Sequence, residues 1–124
     1  PEPPRPVHFA EPSYPRSAWQ QRIGAQIIVK VRVNTEGRAT ASRIIGRYRL
    51  DYETPRRSVS AACCSKEIME RELLRASNRS AVGHLGRGLE EAALGAAWKW
   101  RFKPPTEDGR ALASYAILTF TFGR

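Results

Sequence analysis

The run Gln26-Ile27-Ile28-Val29-Lys30-Val31-Arg32-Val33, closed by Asn34-Thr35-Glu36-Gly37, constrains this chain more than any other stretch. Ile27, Val29, Val31 and Val33 occupy alternate positions, opposed by Ile28, Lys30, Arg32 and Asn34. That is the period-two signature of a strand with one buried face and one largely polar face. The following turn places glycine where a positive φ is needed. Arg38 to about Gly46 then reads as the returning strand of a hairpin, weaker because Ala39 and Ala41 have little strand propensity.

Before the hairpin, Pro1, Pro3, Pro4, Pro6 and Pro12 favour an extended polyproline conformation, so residues 1–12 read as the end of a Pro-rich linker. Tyr14 to Arg22 permits a short helix, with Ser13 as its cap, Pro15 in its first turn and Gly24 at its end. After the hairpin, Arg47 to Arg57 reads as an irregular connection carrying mixed charges and Pro55. Ser65 to about Val82 reads as a helix: Ser65 can cap it, Glu67 and Arg71 form an i,i+4 pair, and Met69, Leu73 and Ala76 share one face as core packing. Gly83, Gly86 and Gly88 around His84 break that helix, at a spacing wrong for a phosphate loop.

Leu89 to Ala97 is a second helical segment, apolar at Leu89, Ala92, Ala93, Ala96 and Ala97, with Glu90 and Glu91 in the first turn where the helix dipole favours anions. From Trp98, the alternation of Trp98, Trp100 and Phe102 with Lys99, Arg101 and Lys103 suggests a change to extended chain. Pro104-Pro105 ends it and Glu107-Asp108-Gly109 makes a turn. The last strand, Ala111 to Phe122, puts Ala116, Leu118, Phe120 and Phe122 on one side. Tyr115, Ile117, Thr119 and Thr121 fall on the other, which is expected to be partly exposed.

At 124 residues the chain has room for one modest core, and no apolar run approaches the length of a membrane span. No secretory signal opens it, and any membrane anchor is expected upstream. A formal charge of +9, mostly from arginine, steers it toward anionic partners. The basic residues are scattered rather than striped, and no nucleic-acid motif is present, so nucleic acid is not the expected partner. Cys63 and Cys64 are adjacent, which gives neither a disulfide framework nor metal-ligand spacing. A vicinal disulfide needs a strained peptide, so buried thiols or an intermolecular bridge are expected instead. His8 and His84 lack the carboxylate and nucleophile spacing of a catalytic site, and neither an enzyme nor a cofactor or metal is expected.

Taken in order, the lead-in Tyr14-Pro15, Ala18, Gly24, the hairpin through Val29, Val31, Val33 and Gly37, the helix with Leu89, Ala92 and Ala93, the segment Trp100-Arg101-Phe102-Lys103-Pro104, Gly109, and the closing Phe120 and Phe122 resemble the C-terminal domain of the TonB family. The resemblance spans roughly residues 11–46 and 89–122. It implies an α+β fold: a three-stranded antiparallel sheet packed against helices over residues 13–124, here with an insertion at about 47–88 that carries an extra helix. It also implies a periplasmic domain of a protein anchored in the inner membrane of a Gram-negative bacterium. Such a domain is driven by ExbB and ExbD through the N-terminal part, and captures the TonB box of an outer-membrane transporter to power uptake.

In such domains capture is by strand addition, in which an exposed edge supplies main-chain donors and acceptors and side chains supply selectivity. The resemblance assigns the contact to the last strand, at Ser114, Tyr115, Ile117, Thr119 and Thr121, and to the lead-in at Glu11, Pro12, Ser13 and Tyr14. Glu11 stands where the family commonly has glutamine; it either pairs with a basic residue of the partner or is a solvated charge. Tyr14 and Trp100 are read as packing residues. A TolA-like envelope or sensory role on the same fold is the alternative function, with a basic nucleic-acid-binding domain behind it. The chain is expected to be a monomer or weak dimer.

Overall fold

The structure, a computed structural model, describes residues 2–51, 56–64, 67, 70–72 and 79–123. Its centre is the hairpin. β2 (Gly24–Val33) pairs antiparallel with β3 (Ala39–Leu50), and the turn between them carries Gly37 at φ +84. The Asn34 side chain accepts from the Glu36 and Arg38 amides at 3.0 and 2.9 Å, fixing the turn. Gly37 is required twice over. Its φ is in the left-handed region, and a Cβ there would collide with the Phe102 carbonyl, because the Phe102 amide donates to the Gly37 carbonyl at 2.9 Å.

β2 is also paired on its other side with β9 (Ser114–Phe122) along its length, from Ala25 opposite Phe122 to Val33 opposite Ser114. This register sets Ala25, Ile27, Val29, Val31 and Val33 beside Ala116, Leu118, Phe120 and Phe122 on one face, all buried. α1 (Arg16–Gln20) and α2 (Leu89–Lys99) cover that face through Ala18, Leu89, Ala93, Ala96 and Ala97. The alanines let α2 approach the sheet closely. Trp100, Phe102, Phe120 and Phe122 complete the core, where a fully buried large side chain contributes about 2–3 kcal/mol of transfer free energy. The Trp100 indole N–H is satisfied by the Ala10 carbonyl at 2.8 Å.

The expected α+β fold with a three-stranded sheet packed on helices is corrected: the described residues are mostly β, and the insertion enlarges the sheet. The main sheet has five antiparallel strands in the order β4-β9-β2-β3-β5, where β4 is Val59–Cys63 and β5 is Arg79–Ala81. Both added strands come from residues 47–88, one at each edge. The reason is backbone pairing: the flanks of a three-stranded sheet are two rows of unpaired donors and acceptors, and the inserted chain covers part of each. Two small two-stranded sheets stand beside it. β1 (Arg5–His8) pairs with β6 (Arg101–Lys103), and β7 (Thr106–Glu107) pairs with β8 (Arg110–Ala111).

Other expectations shift with it. Residues 5–8, read as spacer, form a strand, and Pro4 and Pro12 are buried. β3 continues to Leu50 where an irregular connection was expected, since Tyr48 and Leu50 gain partners in β5 as well as β2. Pro15 stands at the N-cap of α1 in place of Ser13, and no side chain caps that helix. Glu67 and Glu70 to Glu72 are helical, but Arg79 to Ala81, expected in the same helix, are strand. Ser65, Met69, Leu73 and Ala76 lie outside the described residues. Trp98 belongs to α2 and the extended backbone begins at Trp100. The closing strand starts at Ser114, because Arg110 and Ala111 are used by the β7-β8 hairpin, whose turn has Asp108 and Gly109 at positive φ. Cys63 and Cys64 are bonded to each other at the end of β4, contrary to the expectation of thiols or an intermolecular bridge.

Candidate partner-binding edge

β9 is unequal along its length. Leu118 to Phe122 pair with β4 on one side and β2 on the other, whereas Ser114 to Ile117 ladder with β2 alone among the described residues. Among the described residues, half of the strand therefore has both edges used and half has one edge open. At the start of the open half the Ser114 hydroxyl is buried with no hydrogen-bond partner among the described residues. Such a group costs free energy until a partner reaches it.

The residues assigned from the resemblance divide accordingly. Ser114, Tyr115 and Ile117 lie on the open half, with Tyr115 57% exposed. Thr119 and Thr121 lie opposite Ala62 and Ser60 of β4 and are buried. Glu11 and Ser13 are exposed and Pro12 is buried. The Tyr14 hydroxyl donates to the Ile23 carbonyl at 2.5 Å, and its ring packs edge-on against Trp19 and Phe122. Because Phe122 is at the far end of β9 from Ser114, the lead-in and the open half-edge are separated by roughly 26 Å of strand rise. The structure does not bring them together.

The sheet face away from α2 differs between the same two halves. At the β4 end the inserted chain crosses it. The Glu72 carboxylate accepts from Thr121 Oγ1 at 2.7 Å and Ser60 Oγ at 2.8 Å. The buried Gln26 amide donates to the Glu72 carbonyl at 3.3 Å and accepts from Arg79 at 2.9 Å, while Arg79 stacks on Tyr48. This network spans β4, β9, β2 and β3 and holds the insertion on the sheet.

At the other end no described segment crosses the face. Lys30, Arg32, Ala41, Ser42, Arg43 and Tyr115 line a shallow groove of about 350 Å³. Lys30 lies opposite Arg43 on one side and Ile117 on the other; Arg32 lies opposite Ala41 and Tyr115. The Lys30 ammonium sits 4.5 Å from the Tyr115 ring centroid, a cation–π contact that extends the side chain toward the open edge. Among the described residues, none of Lys30, Arg32 and Arg43 has an acidic partner.

Lys30 and Arg32 were visible in the sequence as the polar face of a strand. Their conjunction with Arg43 was not, because the β-bulge between Ile28 and Val29 sets which β3 residue faces Lys30. Glu90, read as a dipole-stabilising charge, is a buried anchor. Its carboxylate accepts from Arg47 Nε at 2.7 Å and the Leu85 amide at 2.9 Å, and lies 2.8 Å from His84 Nδ1. Burial acts to raise the Glu90 pKa, but the Leu85 and Arg47 hydrogen bonds and the Arg47 and His84 charges outweigh it and hold it below the usual carboxylate value. This group ties the loop at 84–88 to α2 and β3, away from the groove.

Comparison with models of known protein families gives no match, and comparison with curated protein sequences gives none either.

Proposed function

We propose that this chain is the partner-capturing domain of a TonB-type energy transducer, acting in the periplasm and receiving a short extended segment of an outer-membrane transporter by strand addition. The single observation that carries this reading is the half-open edge of β9, where Ser114 to Ile117 present backbone groups next to an exposed tyrosine on an otherwise well-packed sheet. Supporting it are the hairpin, α2, the Trp100 to Pro104 segment and the closing aromatic strand, which follow one another in the order of that family. Force applied along such a ladder loads several hydrogen bonds together, which suits a contact that must hold under tension and still release.

The reading differs from the family expectation in extent. Capture is confined to Ser114 to Ile117, because β4 already pairs with Leu118 to Phe122. The test is a titration of isotope-labelled protein with TonB-box peptides, following backbone amide resonances. Progressive shifts at Tyr115 to Ile117 are expected. Silence at these amides toward every box peptide would remove the reading.

A further inference from the structure

We propose that the groove formed by Lys30, Arg32, Arg43 and Tyr115 selects an acidic extended segment, so that the strand received at Ser114 to Ile117 is one bearing carboxylates on the side facing the groove. This rests on the strand-capture reading and adds the chemistry of the captured chain.

The first observation is the charge pattern itself. Lys30 and Arg43 stand directly opposite each other on β2 and β3, and like charges so placed repel. Arg32 extends the cluster one step along β2. No acidic side chain among the described residues relieves it, whereas Glu90 does so for Arg47 elsewhere on the chain. An anionic ligand removes this repulsion on binding.

The second observation is position. Tyr115 belongs both to the open half-edge and to the groove wall, with Lys30 drawn over its ring. In a strand added beside Ser114 to Ile117, alternate side chains fall on the groove side of the sheet, next to Tyr115. Carboxylates at those positions lie within reach of Lys30, with Arg32 and Arg43 behind it, while the intervening residues face the α2 side. Backbone pairing thus fixes the register, and the cations read every second residue. A flat polyanion such as nucleic acid gains the charge contact but not the ladder.

The experiment compares three extended peptides of about nine residues, each with Glu, Gln or Lys at alternate positions, by fluorescence anisotropy at low and high salt. The Glu peptide is expected to bind on the order of tenfold tighter than the Gln peptide, with the preference shrinking as salt rises. The double variant Lys30→Glu with Arg43→Glu should reverse the order of the Glu and Lys peptides. The milder Lys30→Gln with Arg43→Gln, on solvent-facing positions, should abolish the preference while leaving the circular dichroism spectrum unchanged. Equal affinity of the Glu and Gln peptides, with amide shifts at Tyr115 to Ile117 in both, would overturn acidic selectivity and leave strand capture standing. Absence of those shifts with all three peptides would overturn both. Shifts at Lys30, Arg32 and Arg43 alone, or tighter binding of a single-stranded oligonucleotide of equal charge, would overturn the paired-strand geometry in favour of simple charge attraction.

Discussion

The two halves of the β9 strand, four to five residues each, have been put to opposite uses. Around Leu118 to Phe122 the strand is closed on both edges, and the outer face carries the buried network of Glu72, Thr121, Ser60, Gln26 and Arg79. Around Ser114 to Ile117 the strand pairs with β2 alone among the described residues, and the same face carries Lys30, Arg32 and Arg43, none of which has an acidic partner among them. The closed half shows what it takes to make this surface structural: every polar group is answered by another. In the open half no acidic group among the described residues answers Lys30, Arg32 or Arg43, and Lys30 rests over the Tyr115 ring instead.

The contrast can be tested by substitution. Phe120→Ala, in the core shared by both halves, should cost about 3–5 kcal/mol through lost burial and the cavity left behind, measured by denaturant unfolding. Glu72→Ala removes the acceptor of the buried Thr121 hydroxyl and the half-buried Ser60 hydroxyl in the closed half and should cost about 2–3 kcal/mol, with faster hydrogen exchange in β4 as the local sign. Should it cost nothing, the network is not what holds the insertion down.

Glu90→Gln is expected to lose about 1–2 kcal/mol at neutral pH. Because the folded-state pKa of Glu90 is lowered, its contribution is present above the unfolded carboxylate value of about 4.3 and is lost as pH falls through the lower folded value. The wild-type protein should therefore lose this stability below about pH 4, and the variant should show a shallower acid slope. Smallest of all, Lys30→Ala or Tyr115→Ala in the open half should change stability by no more than about 0.5 kcal/mol, while weakening peptide binding. A large stability loss there would mean that the open half is scaffold like the other.

Legibility from sequence follows the same division between local and non-local pairing. The hairpin, Gly37, α2 and the apolar face of β9 were readable because each is set by residues close in the chain: alternation from Ile27 to Val33, a turn needing positive φ, alanines at helical spacing. β4 and β5 were not. Val-Ser-Ala-Ala-Cys and Arg-Ser-Ala have no alternation, and they become strands only because the edges of β9 and β3 offer partners far away in sequence. The same reason hid the division of the candidate edge. Thr119 and Thr121 look equivalent to Tyr115 and Ile117 in a list of alternating residues, and only β4 distinguishes them. Arg43 is likewise a lone arginine until the bulge sets it across from Lys30.

The most direct measurement is residue-resolved hydrogen exchange of β9 with and without the alternating-Glu peptide. Exchange should slow at those amides of Ser114 to Ile117 that point away from β2 and stay unchanged at Leu118 to Phe122, which already pair on both sides. Unchanged exchange at Tyr115 to Ile117, or faster exchange in β4 as the peptide displaces it from Leu118 to Phe122, would contradict the division of the strand into a closed and a receiving half.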